Sequence, residues 1–196
     1  MTFLKEHAED WGLHEERIGI CGFSAGGHLA LMYATHWNQT WLMEAAKLQG
    51  LQLRPAVCIA GYPVVDGMTW TDEQCCSSVA RAVRDECRLG LFGMDEPEYA
   101  LLQAANPVAF VTSDAPPTFL WATAEDAKVP AVNALHMAEK LLSVGVPVEM
   151  HIFEEGEHGL ALANSASAGT KRKVEPAAAQ WVSLCETWLN KRLRWN

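Results

Sequence analysis

One short stretch constrains this chain more than any other. An apolar run from Arg17 to Gly22 leads directly into Gly22-Phe23-Ser24-Ala25-Gly26, and a helix-like run from His28 to Thr35, apolar nearly all round, follows at once. The pattern is G-x-S-x-G between a strand and a buried helix, the setting in which a serine hydroxyl projects from the edge of a sheet. Such a serine must occupy a tight, strained turn. Gly22 and Gly26 are expected to remove side chains that would collide across it. The helix N-terminus beneath the turn favours developing negative charge, and the Ala25 N–H can serve as an oxyanion donor. The blander reading is a glycine-rich turn with an incidental serine.

The rest of the chain alternates strand and helix signals. Ala56–Ala60 and Thr118–Thr123 are short apolar runs, the second nearly continuous, as in a central parallel strand covered on both faces. A helical face runs through Ala131, Ala134, Leu135, Ala138, Leu141 and Leu142, between Pro130 and Gly145. Val148, Met150 and Ile152 alternate with polar residues, which suits a strand nearer a sheet edge. Val174 to Leu189 reads as a last amphipathic helix, and Met1 to Trp11 as a first one ended by Gly12. This order implies an α/β fold, a mostly parallel sheet flanked by helices. The whole chain, 1–196, reads as one domain. The segment 63–117 has no good strand and reads as an insertion over the carboxyl ends of the strands, where such folds place their sites.

Two loops carry the remaining chemistry. Glu125 and Asp126 follow the third strand, and either carboxylate could orient a base. His158 follows the alternating strand, flanked by Gly156 and Gly159, which would let its imidazole swing toward Ser24. The order serine, acid, histidine is that of the α/β-hydrolases. His7, His36 and His136 lie on helices and His151 within a strand, so they are weaker candidates. His28 reads as a packed, hydrogen-bonded histidine. Trp70 is open to two readings, stacking on a ring-shaped substrate or plain packing, whereas Trp121 belongs to the core.

Composition excludes several classes. A net charge of -9 argues against nucleic acid or an anionic membrane as partner. The basic run Lys171-Arg172-Lys173 reads as a solvated helix end. No apolar stretch reaches membrane-spanning length, and the charged N-terminus does not resemble a signal peptide. The six cysteines show no metal spacing, so no metal or organic cofactor is implied. Cys21 and Cys58, inside apolar runs, are expected to be buried thiols, in keeping with a reducing, cytoplasmic setting. The expected partner is a small-molecule ester, and nothing in the sequence reads out an oligomeric state.

At these residues the chain resembles a known group. Ile18 to Ala30 is similar to the nucleophile elbow of bacterial acetyl-xylan-esterase-like carbohydrate esterases, in the α/β-hydrolase superfamily. Ala115 to Pro130 resembles their acid loop, in which the position of Asp126 holds the triad acid, and Phe153 to Gly159 resembles their histidine loop. The resemblance implies a triad of Ser24, His158 and Asp126 acting through an acyl-enzyme on short acyl esters, with acetylated sugars or xylo-oligosaccharides as substrates. Members of the group carry early strands and an H-G-G-G-like loop with a second oxyanion donor, and neither is found in this sequence. The expectation is therefore an α/β-hydrolase fold lacking its early strands. The alternatives are a truncated, inactive remnant and a serine peptidase of the same fold.

Overall fold

A computed structural model describes residues 1–47 and 53–193. Strands β1 (Ile20–Phe23), β2 (Cys58–Gly61), β3 (Thr118–Thr123) and β4 (Val148–Phe153) form one parallel sheet in the order β1-β2-β3-β4. Parallel strands need crossover connections, and helices supply the apolar cover on both faces. Every residue of β3 is buried, as its continuous apolarity requires, while the alternating β4 ends the sheet.

The two faces follow the period-two alternation of the strands. On one, Cys58, Ala60 and Leu120 pack against Leu31 and Ala34 of helix α2 (Ala25–His36) and against Met137 and Leu141 of helix α6 (Val132–Ser143). On the other, Val57, Phe119 and Trp121 meet Trp181, Cys185 and Trp188 of helix α8 (Trp181–Leu193). Trp121 and Trp181 stack with centroids 5.3 Å apart. Helix α3 (Thr40–Ala46) follows α2. Segment 63–117 contains no strand among the described residues. It holds helices α4 (Ser78–Phe92) and α5 (Tyr99–Ala104) and short 3-10 turns, over a third cluster that includes Val64, Met68 and Leu102. Helix α4 starts where the Ser77 side chain accepts from Ala80 N, and it stops at Gly93, whose φ of 71° is left-handed.

Several boundaries differ from expectation. The N-terminal helix α1 is only Thr2–Glu6, followed by turns up to Gly12. Arg17 lies in a 3-10 turn before β1, since a charged residue has no place between the two apolar faces. The last helix is divided into α7 (Pro176–Ala179) and α8, and the offset lets Trp181 Nε1 donate to Ala161 O at 2.9 Å. Lys171–Lys173 forms a separate 3-10 turn ahead of it, with the Lys173 ammonium donating to Gly159 O. Cys58 is fully buried, but Cys21 is exposed, on a strand at the edge of the four-stranded sheet. Trp70 is packed away at 7% exposure, so the stacking reading fails.

Two polar side chains fix the loop that leaves β2. The Asn133 carboxamide oxygen on α6 accepts from Val65 N and Gly67 N, both at 3.0 Å. His28 on α2 donates from Nδ1 to Val64 O at 3.2 Å, which confirms it as a packed histidine. Burial holds its imidazole below the ordinary 6.5. Replacing Asn133 by Leu should cost about 2 kcal/mol, since one buried and one half-buried N–H lose their acceptor. The check is a lower urea midpoint with an unchanged m-value. His28 adds a pH dependence. Below pH 6.5 the unfolded chain takes up a proton at this residue that the folded chain resists. Stability present above that pH is lost as the pH falls toward the depressed folded value. The urea midpoint of the wild type should therefore drop more steeply on acidification than that of His28→Gln, and parallel curves would show that His28 is not the group.

Candidate active site

Ser24 sits between β1 and α2 with φ 53° and ψ -120°, a region that costs a non-glycine residue roughly 1–3 kcal/mol. Hydrogen bonds hold it there on both sides: Ser24 N donates to Gly61 O and His28 N donates to Ser24 O, each at 3.0 Å. A Cβ on Gly22 would fall inside the Gly26 carbonyl, so Gly22 is required by the close approach of strand and helix. Gly26 does not play the matching part. A Cβ there meets nothing within 4 Å, and it is Gly27 that lies against Pro63. The collision expected at Gly26 is absent because its α-carbon faces open space, and only its carbonyl is in the crowded turn. Ala25, the first residue of α2, is exposed, and its N–H has no acceptor within the helix.

The structure brings all three distant residues together. Ser24 Oγ lies 2.8 Å from His158 Nε2, and His158 Nδ1 lies 2.6 Å from Asp126 Oδ2. Asp126 has a fully buried side chain, and its other oxygen accepts from Lys128 N at 3.0 Å and Val129 N at 2.9 Å. That pattern sets the histidine tautomer: Nδ1 carries the hydrogen facing the carboxylate, and Nε2 is free to accept from the serine.

Glu125, the competing carboxylate, is exposed and points elsewhere. Its Oε2 accepts from Gly156 N at 3.0 Å, while Thr123 Oγ1 donates to Gly156 O at 2.7 Å. Gly156 has φ 130°, and a Cβ there would press on Leu160 Cδ1 at 2.7 Å. The glycine before His158 thus permits a packed, left-handed backbone tied to the end of β3, rather than a swinging loop.

The sequence reading missed Tyr62. This residue follows β2 with φ 36°, and its ring meets the imidazole of His158 edge to face, centroids 5.1 Å apart. Its hydroxyl accepts from Ala161 N at 2.9 Å, three residues past the histidine. Tyr62 therefore supports both the ring and the loop of His158. The one available signal was its position at the carboxyl end of a strand.

Two clefts flank this group. One is apolar, about 240 Å³, and reaches from Ala25 to α4. The other, about 250 Å³, is lined by His158 with Glu125, Glu157, Lys128 and Lys173 among its walls. Among the described residues there is no cluster of side chains with metal-ligand geometry, and no helix long and apolar enough to cross a membrane.

Comparison with known proteins bears on the fold and the family. The BD-FAE family model matches residues 1–141. Endo-1,4-beta-xylanase B of Butyrivibrio fibrisolvens is 27% identical over 166 residues, 84% of this chain and 24% of that protein. An acetylxylan esterase of Xylanibacter ruminicola is 26% identical over 157 residues, 80% of this chain and 28% of that protein. A carboxylesterase of Lactobacillus plantarum superposes with a TM-score of 0.75 at 30% identity, covering 97% of this chain and 64% of that one. An acetyl ester-xyloside bifunctional hydrolase of Caldicellulosiruptor lactoaceticus superposes with a TM-score of 0.73 at 31% identity, covering 97% and 62%. The chain thus spans about a quarter of the length of these sequence relatives and under two thirds of these solved structures. The fold is that of the α/β-hydrolases, and within their carbohydrate-esterase-like group the chain belongs to the BD-FAE family.

Proposed function

We propose that this chain carries the catalytic residues of a serine ester hydrolase that cleaves short acyl esters, acetyl esters of sugars or xylo-oligosaccharides among them. The observation that carries this reading is the continuous hydrogen-bonded series Ser24–His158–Asp126, set on a strained strand-to-helix turn. The names of the relatives support the substrate class: an acetylxylan esterase, a xylanase and an acetyl ester-xyloside hydrolase.

The chemistry is acyl transfer in two steps. The Ser24 hydroxyl proton passes to His158 Nε2 as the Oγ–carbon bond forms, and the carbonyl oxygen becomes an oxyanion facing Ala25 N–H. Collapse breaks the bond to the alcohol oxygen, which takes the proton from Nε2. Water then gives a proton to Nε2 and attacks the acyl carbon. The carboxylic acid leaves, and the proton returns to Ser24 Oγ. Asp126 holds Nδ1–H throughout and stabilises the transient imidazolium.

Ser24→Ala should abolish nearly all hydrolysis of a nitrophenyl acetate, together with labelling by a serine-directed fluorophosphonate read by intact mass. Asp126→Asn should lower kcat by roughly 10⁴, the scale seen when a triad acid is neutralised. Glu125→Gln should cost little, because an amide oxygen still accepts from Gly156 N. Equal losses at positions 125 and 126 would sink the assignment of the acid.

A further inference from the structure

The two clefts, one lined by Ala25 next to Ser24 in the chain and the other by His158, differ in chemistry, and the reaction itself decides which half of an ester each can take. His158 must return its proton to the leaving alcohol oxygen, so the alcohol lies on the imidazole side. That side is the cleft with Glu125, Glu157, Lys128 and Lys173, whose charged groups suit a polyhydroxylated alcohol. The acyl substituent is left on the side of Ala25 and α2.

The cleft on that side carries no charge. Its floor is Val64, Met68 and the ring of His28, and its far wall is the last turn and a half of α4, with Cys87, Gly90 and Leu91. His28 spends its Nδ1 hydrogen on Val64 O, and burial lowers its imidazole below the ordinary range, so it is neutral at physiological pH. Burial likewise pushes the Cys87 thiol up. Leu29 and Leu91, which line it, are 66% and 52% exposed, two large apolar side chains left facing solvent. The volume of about 240 Å³ far exceeds what an acetyl group fills.

We propose that this cleft is the acyl subsite, that it takes linear acyl groups longer than acetyl, and that Gly90 sets the length accepted. The inference rests on the hydrolase reading above and extends its acyl range beyond acetyl. The acyl-enzyme formed on Ser24 then holds its alkyl chain along α4, away from the imidazole, and leaves the charged cleft to the alcohol and to the incoming water. Gly90 is the position to change because it lines the cleft and a Cβ added there would meet no other atom within 4 Å. A glycine inside a helix lowers helix stability, so its presence on the wall of the cleft leaves room for something other than its own side chain.

The test is a series of nitrophenyl esters from acetyl to octanoyl, run on the wild type and on Gly90→Ala, Gly90→Leu and Gly90→Phe. In the wild type, kcat/KM should rise from acetyl to hexanoyl by up to about fourfold per methylene, the gain expected for burying each CH₂. Across the variants, the hexanoyl-to-acetyl ratio should fall with side-chain size, by roughly 10-fold or more at Leu. Gly90→Ala should fold at least as well as the wild type, with a Tm raised by about 2–4 °C, since alanine replaces glycine within a helix. Its ratio therefore reads the subsite and not a folding defect. A wild type that turns over acetyl alone, or variants that scale all chain lengths equally, would overturn the subsite and leave the hydrolase reading standing. If no ester is hydrolysed and a fluorophosphonate fails to label Ser24, the hydrolase reading itself falls and the subsite with it.

Discussion

The contact between Gly22 and the Gly26 carbonyl is the point from which the rest of the site is built. It lets β1 run into α2 with no intervening loop, and that sharp reversal forces Ser24 to a positive φ. A side chain at Gly22 would push strand and helix apart. Ser24 N would then lose its bond to Gly61 O, the link that aligns the turn with the end of β2. The strain at Ser24, about 1–3 kcal/mol, is offset by the burial of α2 against the sheet through Leu31 and Ala34. Strain is tolerable here because a packed core, and not local propensity, holds the turn.

The histidine and its acid reach the serine from the far ends of β3 and β4, and their loops brace one another. Thr123 and Glu125 clamp Gly156 from the β3 side, and Tyr62 holds Ala161 from the β2 side. His158 is left between two fixed points, with its ring against Tyr62. Asp126 is fully buried, yet both its oxygens are engaged, two N–H groups on one and the imidazole on the other. A buried carboxylate without such partners would be costly, so the acid loop must form correctly for the domain to fold well. Folding and site assembly share these bonds.

Much of this was legible in the linear chain, and the failures have specific causes. Thr118–Thr123 and the helix after Pro130 matched expectation, because a central strand and an amphipathic helix each impose a strong periodicity. Arg17 and Cys21 were misplaced, because an apolar run does not reveal where the sheet ends and its cover stops. The steric duty expected at Gly26 belongs to Gly22 and Gly27, since a glycine spacing says nothing of where each Cβ would point. Trp70 could be read as a stacking platform until the packing of segment 63–117 buried it.

The sequence alone determined the strand-to-helix turn at Ser24, the α/β layering and the order of Ser24, Asp126 and His158 along the chain, because these depend on local periodicity and on residue types with few substitutes. It left Glu125 and Asp126 as equals, and only the resemblance to a known group separated them. The tertiary structure separates them physically: one residue faces the imidazole from a buried pocket of N–H donors, and its neighbour turns outward to brace Gly156. Tyr62 and the division of the surroundings of Ser24 into an apolar and a charged cleft were likewise decided only in three dimensions. These meetings join residues far apart in the chain, 31 positions for Glu125 and Gly156 and 99 for Tyr62 and Ala161, and no pattern within a single stretch of chain encodes them.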